Sequence, residues 1–345
     1  MLSLGEHMPR QPLLARLKTL VLWGTGLLRR RETRQSGACV LIYHGVVPAV
    51  EDPILDEFAV PEDVLRAHLS YLCRHYVPIS LGELLHALRS GGVIDRRWVV
   101  VTFDDALRSQ TERAASVLAD FRIPWCLAVP TGLVGSGKTI WSYELKFFLL
   151  RCWSKPTLMV PFGKLGVLPT ATRAQRRKTL SIIRAWLDGR AMSTNPADLC
   201  TALVQPYGEG RFREALARYG RFTLVDWPDL RRMADAGVEM LAHGHRHLAQ
   251  RDWLSPEDRV QEILTPRTIL RQRLGRAPRA FVYPYGVVSP AASEAVGAGG
   301  YECAFSTRAG RVTAETWSLG PLPRVNAAFD LLALRRAMLA PSMRR

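Results

Sequence analysis

Two short stretches, Asp104-Asp105 and His243-Gly244-His245-Arg246-His247, hold residue types whose spacing could do chemistry. The acidic pair follows Trp98-Val99-Val100-Val101-Thr102-Phe103, an apolar and β-branched run that predicts a strand buried on both faces. In parallel α/β folds the C-terminal strand ends are where ligands meet the protein, so carboxylates there are better placed for chemistry than for packing. The second stretch gathers three of the chain's eight histidines within five residues, again after an apolar run. His243 and His247 at i, i+4 would share one face of a helical turn, a spacing that suits two imidazoles on one metal. Asp105 would add an oxygen ligand; two His and one carboxylate leave positions open for water and substrate, as in a catalytic site. Each stretch alone also has an ordinary reading, a solvated turn for the acids and a surface pair for the histidines.

A third motif points elsewhere. Gly132-Leu133-Val134-Gly135-Ser136-Gly137-Lys138-Thr139 satisfies G-x-x-x-x-G-K-[ST], after a predicted strand and before a possible helix, which is the context phosphate cradling requires. A P-loop nucleotide hydrolase using residues 132–139 is therefore an alternative. Against it, the only run suited to a magnesium-binding strand ends at Asp104-Asp105, before the loop rather than after it.

Taken jointly, Thr102-Phe103-Asp104-Asp105, His243-x-x-x-His247, Tyr283-Pro284-Tyr285-Gly286 and Gly300-Tyr301-x-x-Ala304-Phe305-Ser306-Thr307 stand in an order that resembles the NodB-homology polysaccharide deacetylases, carbohydrate esterase family four, over residues 38–326. Val40-Leu41-Ile42-Tyr43-His44-Gly45-Val46 is similar to the Tyr-His-x-Val segment of the branch that includes poly-N-acetylglucosamine deacetylases, where an early histidine takes the general-acid place. The resemblance implies a divalent metal, Zn2+ by preference, on Asp105, His243 and His247, with Asp104 as catalytic base. It also implies the backbone N–H of Tyr285 as an oxyanion donor and His44 as the acid that protonates the leaving amine. Four departures stand out: Gly244 where the family has Ser or Thr, Ala106 for a common Gly, and His245 as an extra imidazole able to compete for the metal. The fourth is Val282, where many members carry an arginine that holds the catalytic Asp; Arg324, on the last strand, is the expected substitute.

Strands alternating with helices predict a closed parallel barrel, and the resemblance sharpens this to a distorted (β/α) barrel of about seven parallel strands with a helical insertion. The expected organisation is a basic amphipathic segment over 1–36, the barrel over 37–326 with its insertion at about 140–221, and a C-terminal helix and tail over 327–345. Ser80 and Ser255-Pro256-Glu257-Asp258 read as helix starts. Within the insertion, Trp141, Tyr143 and Trp153 would make either a sugar-stacking wall or a small core.

Lys and Arg outnumber Asp and Glu by 47 to 31, a formal charge of +16, which suits anionic surfaces. No nucleic-acid module is legible, so nucleic acid is not an expected partner; an N-acetylated glycan is. The apolar run within residues 8–34 carries Arg16 and Lys18 and is too short to span a bilayer, so the readings there are peripheral membrane association or a helix packed against the domain. Six cysteines without CxxC pairs read as buried thiols, which with no legible signal peptide leads to an expected cytoplasmic location, at the inner face of the membrane. A non-catalytic glycan-binding relic and a membrane-surface adaptor are the remaining alternatives.

Overall fold

A computed structural model describes residues 36–161, 165–188, 196–318, 320–327 and 330–339. The basic N-terminal segment, with its expected membrane contact through 8–34, and the tail beyond Pro341 lie outside the described residues. No helix among the described residues is long and apolar enough to cross a membrane. These residues fall into two compact units, one of 137–223 and a larger one of the flanking segments.

The larger unit is a distorted α/β barrel. Its seven parallel strands are β1 (Cys39–Tyr43), β2 (Trp98–Phe103), β3 (Trp125–Val129), β4 (Glu239–Ala242), β5 (Ala280–Val282), β6 (Cys303–Phe305) and β7 (Val325–Asn326). They run β6-β5-β4-β3-β2-β1-β7 across the sheet, with Val77–Pro78 pairing a few residues of β2. The two ends of this order meet on one segment: Leu322 bridges Phe305, while Val325 and Asn326 pair with Leu41 and Ile42.

Continuous apolar strands arise because both sheet faces are buried. Val99, Val101 and Phe103 of β2 join Leu41, Tyr43, Leu127 and Val129 in one cluster. Val100 points the other way, with Val40, Cys126, Ala128, Leu241 and Val282, where the helix Leu81–Arg89 adds four leucines. Each such side chain contributes about 1.5–3 kcal/mol of burial, enough to fix the register against a one-residue slip. That helix starts as expected at Ser80, which forms a reciprocal capping box with Glu83, and Ser255 caps the helix Pro256–Leu274. After the Asp pair the chain is helical over 108–120, with a π-turn at Gln110–Ala114 running into Ala115–Asp120. Positive φ at Asp105 and Ala106 is incompatible with an earlier start.

Register decides what gathers at the C-terminal edge. Tyr43 is level with Phe103, so His44 and Asp104 are the first residues past neighbouring strands, and the Asp104 amide donates to the Tyr43 carbonyl. Ala242 is level with both Val129 and Phe281, which brings His243 to the same edge.

Among its described residues the unit 137–223 holds four α-helices, Trp141–Phe147, Arg173–Asp188, Pro196–Val204 and Glu209–Tyr219, and an antiparallel hairpin of Thr157–Val160 with Gly166–Pro169. Tyr143 stacks on Phe222 at 4.6 Å, and both Tyr143 and Trp153 are buried, so these rings form core rather than a sugar platform.

Candidate functional site

Asp104 directly follows β2 with its side chain buried, and Arg324 makes a two-pronged clamp on it. Nη1 donates to Oδ1 and Nη2 to Oδ2, both at 2.8 Å. Arg324 is itself fully buried and aimed by two further bonds, from Nη1 to Thr102 Oγ1 and from Nε to the Ser306 carbonyl. Burial opposes a charged Asp104, but Arg324, His243 and His44 outweigh it and hold its carboxyl below the ordinary range. The carboxylate is thus ionised across all ordinary pH.

Asp105 takes φ +77°, in the left-handed region. Asp105 Oδ1 lies 3.4 Å from His243 Nε2 and 3.2 Å from His247 Nε2, and Oδ2 lies 4.0 Å from His44 Nε2. Two imidazole Nε2 atoms face each other at 3.1 Å. His243 Nδ1 is 2.8 Å from the Val282 carbonyl, an acceptor only, so Nδ1 carries the proton and Nε2 turns a lone pair inward. All three candidate ligand atoms lie within 4.8 Å of one another, buried, and no other such group occurs among the described residues. Two nitrogen lone pairs and a carboxylate converging on one buried point fit a divalent cation of the borderline type, to which such donors bind. Asp105 is buried too, and hydrogen bonds from the two imidazoles when they are protonated, protons that a metal would displace, hold its carboxyl well below the usual range.

The histidine spacing works through a loop rather than through the expected helical turn. Residues 243–250 are irregular, and His247 reaches back because it takes φ +61°. Glu262, wholly buried on the helix Pro256–Leu274, holds that loop. Its carboxylate accepts from the backbone amides of His245, Arg246 and Leu248 and from Arg246 Nε. This explains Gly244: at φ +78°, a Cβ there would sit 2.7 Å from Glu262 Oε2. The Glu262 carboxylate occupies the space that a serine or threonine side chain would need. His245 turns away from the metal set, its Nδ1 3.0 Å from Thr131 Oγ1, so it does not compete with His243.

Ala106 also carries a positive φ, +52°, where glycine would be free of strain. Its methyl is fully buried in the core, and that burial, worth about 0.8 kcal/mol, offsets part of the backbone cost. Among the described residues five non-glycine residues have positive φ, and four of them, Asp105, Ala106, His247 and Tyr285, lie at this site. Tyr285 sits in the turn Pro284–Gly286 with its ring edge-on to His247 at 4.7 Å. His44 is partly open, its side chain 18% exposed, with its ring against Phe58. Its Nδ1 is buried without a hydrogen-bond partner, leaving Nε2 as the nitrogen nearest Asp105.

Gln110 and Glu262 carry no motif in the sequence, yet both build the site. Gln110 is fully buried and its Nε2 donates to the carbonyls of both His44 and Asp104, tying the two strand ends together. A polar residue at a buried helical position was the only signal. Four amides of the P-loop-like stretch are already engaged: Gly132 to the His245 carbonyl, Leu133 to Pro130, Ser136 to Leu133, and Thr139 to the carboxylate of Glu144. A phosphate cradle needs such amides turned toward the anion.

Residues 186–304 match the family model described as polysaccharide deacetylase. This match includes the histidine loop, and Asp104, Asp105 and Arg324 lie beyond it. No curated protein matches. Similar solved structures include the Streptococcus pyogenes deacetylase PplD in complex with acetate, at 15% identity and TM-score 0.56, covering 89% of this chain and 100% of that one. A Bacillus cereus polysaccharide deacetylase follows at 14% and 0.54, covering 88% and 69%. IcaB from Ammonifex degensii has 19% and 0.51, covering 87% and 97%. At these identities the likeness is one of fold.

Proposed function

We propose that this chain, whose residues 186–304 match the polysaccharide deacetylase model, is a metal-dependent hydrolase that removes N-acetyl groups from amino sugars of a surface polysaccharide or its lipid-linked precursor. The observation that carries the reading is the meeting, at one strand edge, of a clamped carboxylate with a carboxylate and two imidazoles that converge on a single point.

An amide is a poor electrophile with a poor leaving group, so its hydrolysis needs a base, charge stabilisation on oxygen and an acid. Asp105, His243 and His247 would hold the metal, Zn2+ being the ion we favour. When bound, it supplies Lewis acidity to water and to the acetyl carbonyl. Asp104 accepts the proton of the attacking water: each oxygen spends one lone pair on Arg324 and keeps another. A carboxylate whose pKa is lowered stays ionised and is correspondingly weaker as a base. The backbone N–H of Tyr285 is assigned to the oxyanion. His44, through Nε2, gives a proton to the departing amine. The Tyr285 ring and Arg324 act by position, one against His247 and the other against Asp104.

Metal content and acetate release from N-acetylglucosamine oligomers, measured on the wild type and on Asp105→Ala, test this reading. One bound metal and acetate release, both lost in the variant, support it. Absence of metal from both proteins refutes it. ATP binding lost on Lys138→Ala and indifferent to Asp105→Ala would favour the nucleotide hydrolase instead.

A further inference from the structure

The unit 137–223 carries fifteen Lys and Arg against five Asp and Glu, and so ten of the chain's sixteen surplus positive charges. The imbalance is sharpest between Leu145 and Leu187, where nine basic residues occur and not one acid. Such a run has no internal counter-charge and complements a polyanionic surface.

The hairpin in this run is amphipathic across its width. Leu158 and Leu168 are cross-strand partners and both are buried, while the helix Arg173–Asp188 is tied alongside by Thr179 Oγ1 donating to the Pro169 carbonyl. The next pair, Met159 and Val167, is opposed across the strands on the other face, 61% and 55% exposed. Only Val93 is a more exposed large apolar residue among those described. Single apolar side chains on a surface are ordinary, but two opposed on one small sheet, in a segment otherwise cationic, are not. Lys155 precedes the first strand, and Arg177 and Lys178 follow on the adjoining helix, all three exposed.

We infer that this hairpin and its basic surroundings are a docking face for an anionic phospholipid bilayer: Met159 and Val167 enter the interfacial layer while Lys155, Arg177 and Lys178 pair with lipid phosphates. Lipid is favoured over a soluble polyanion because a charged polymer gives an exposed Met–Val pair nothing to bury in, whereas a headgroup layer does. The assignment stands apart from the deacetylase reading and from residues 8–34.

The experiment is co-sedimentation of the full chain with vesicles of phosphatidylcholine alone or mixed with phosphatidylglycerol. Wild type is compared with Met159→Ser/Val167→Ser and with Arg177→Glu/Lys178→Glu. Wild type is expected to bind the anionic vesicles only, and both variants to bind at least about tenfold more weakly with unchanged melting temperatures. Three results overturn the proposal: no binding to anionic vesicles; binding that neither variant alters, which would assign it to another segment; or loss in the charge-reversed variant alone with equal competition by heparin, which would mark a site for soluble polyanions.

Discussion

Replacing Arg324 with methionine keeps most of the side chain's volume and removes the charge that faces Asp104. Both members of the pair are buried, and both prongs of the clamp are 2.8 Å long. Breaking such a pair from one side leaves a carboxylate in an apolar interior without compensation, which costs about 3–5 kcal/mol. For a domain of this size that lowers the melting temperature by roughly 6–20 °C. The carboxyl can escape part of the cost by taking up a proton, so the acid limb of the pH–rate profile should move upward in Arg324→Met. The decisive assay is a double-mutant cycle with Asp104→Asn, read by thermal melting. Removing both charges should restore most of the stability that Arg324→Met loses, because only the unpaired carboxylate is expensive. Equal losses in Arg324→Met and in the double variant, together with an unmoved acid limb, would refute the claim that Arg324 acts through the charge of Asp104.

Three further expectations follow from the same geometry. Glu262→Gln turns a carboxamide nitrogen toward backbone donors that now meet oxygen; it should cost about 3–5 kcal/mol and weaken zinc binding 10–100-fold, read by calorimetric titration, and unchanged affinity would show the loop to be held otherwise. His44→Gln should leave metal content and melting unaltered while slowing acetate release about 10²–10⁴-fold, and a loss of metal would make His44 a ligand instead of the acid. The folded pKa of Asp104 is depressed, so its contribution to stability is complete above its unfolded value of about 3.9 and is lost as pH falls through the folded one. Acid melting curves should therefore fall less steeply below about pH 4 in Asp104→Asn than in wild type.

Much of the barrel was legible because its strands announce themselves: Trp98–Phe103 is too short and too β-branched for anything but a strand buried on both faces. The acids at its end and the paired histidines were legible as residue types. Their geometry was not, since it depends on left-handed residues at Asp105 and His247 that no periodicity encodes. Arg324 was reachable only through resemblance, as the position left to replace the arginine missing at Val282. Gln110 and Glu262 were hard to read for a different reason: each acts mainly on backbone groups, and backbone groups have no sequence signature. The hairpin at 157–169 was readable in principle, from the alternation around Leu158 and the Pro161 and Gly163 that follow, yet a helical reading of the whole insertion passed over it.

The segment Leu322–Asn326 bonds β6 on one side and β1 on the other, and it is also where Arg324 resides. Its partner Asp104 is made 220 residues earlier. A growing chain therefore completes every other strand while the carboxylate still lacks its counter-charge, and the final stave supplies closure and counter-charge together. On the proposed reading, hydrolytic competence arrives with the last long-range pairing, because a barrel that has not shut has no clamped carboxylate.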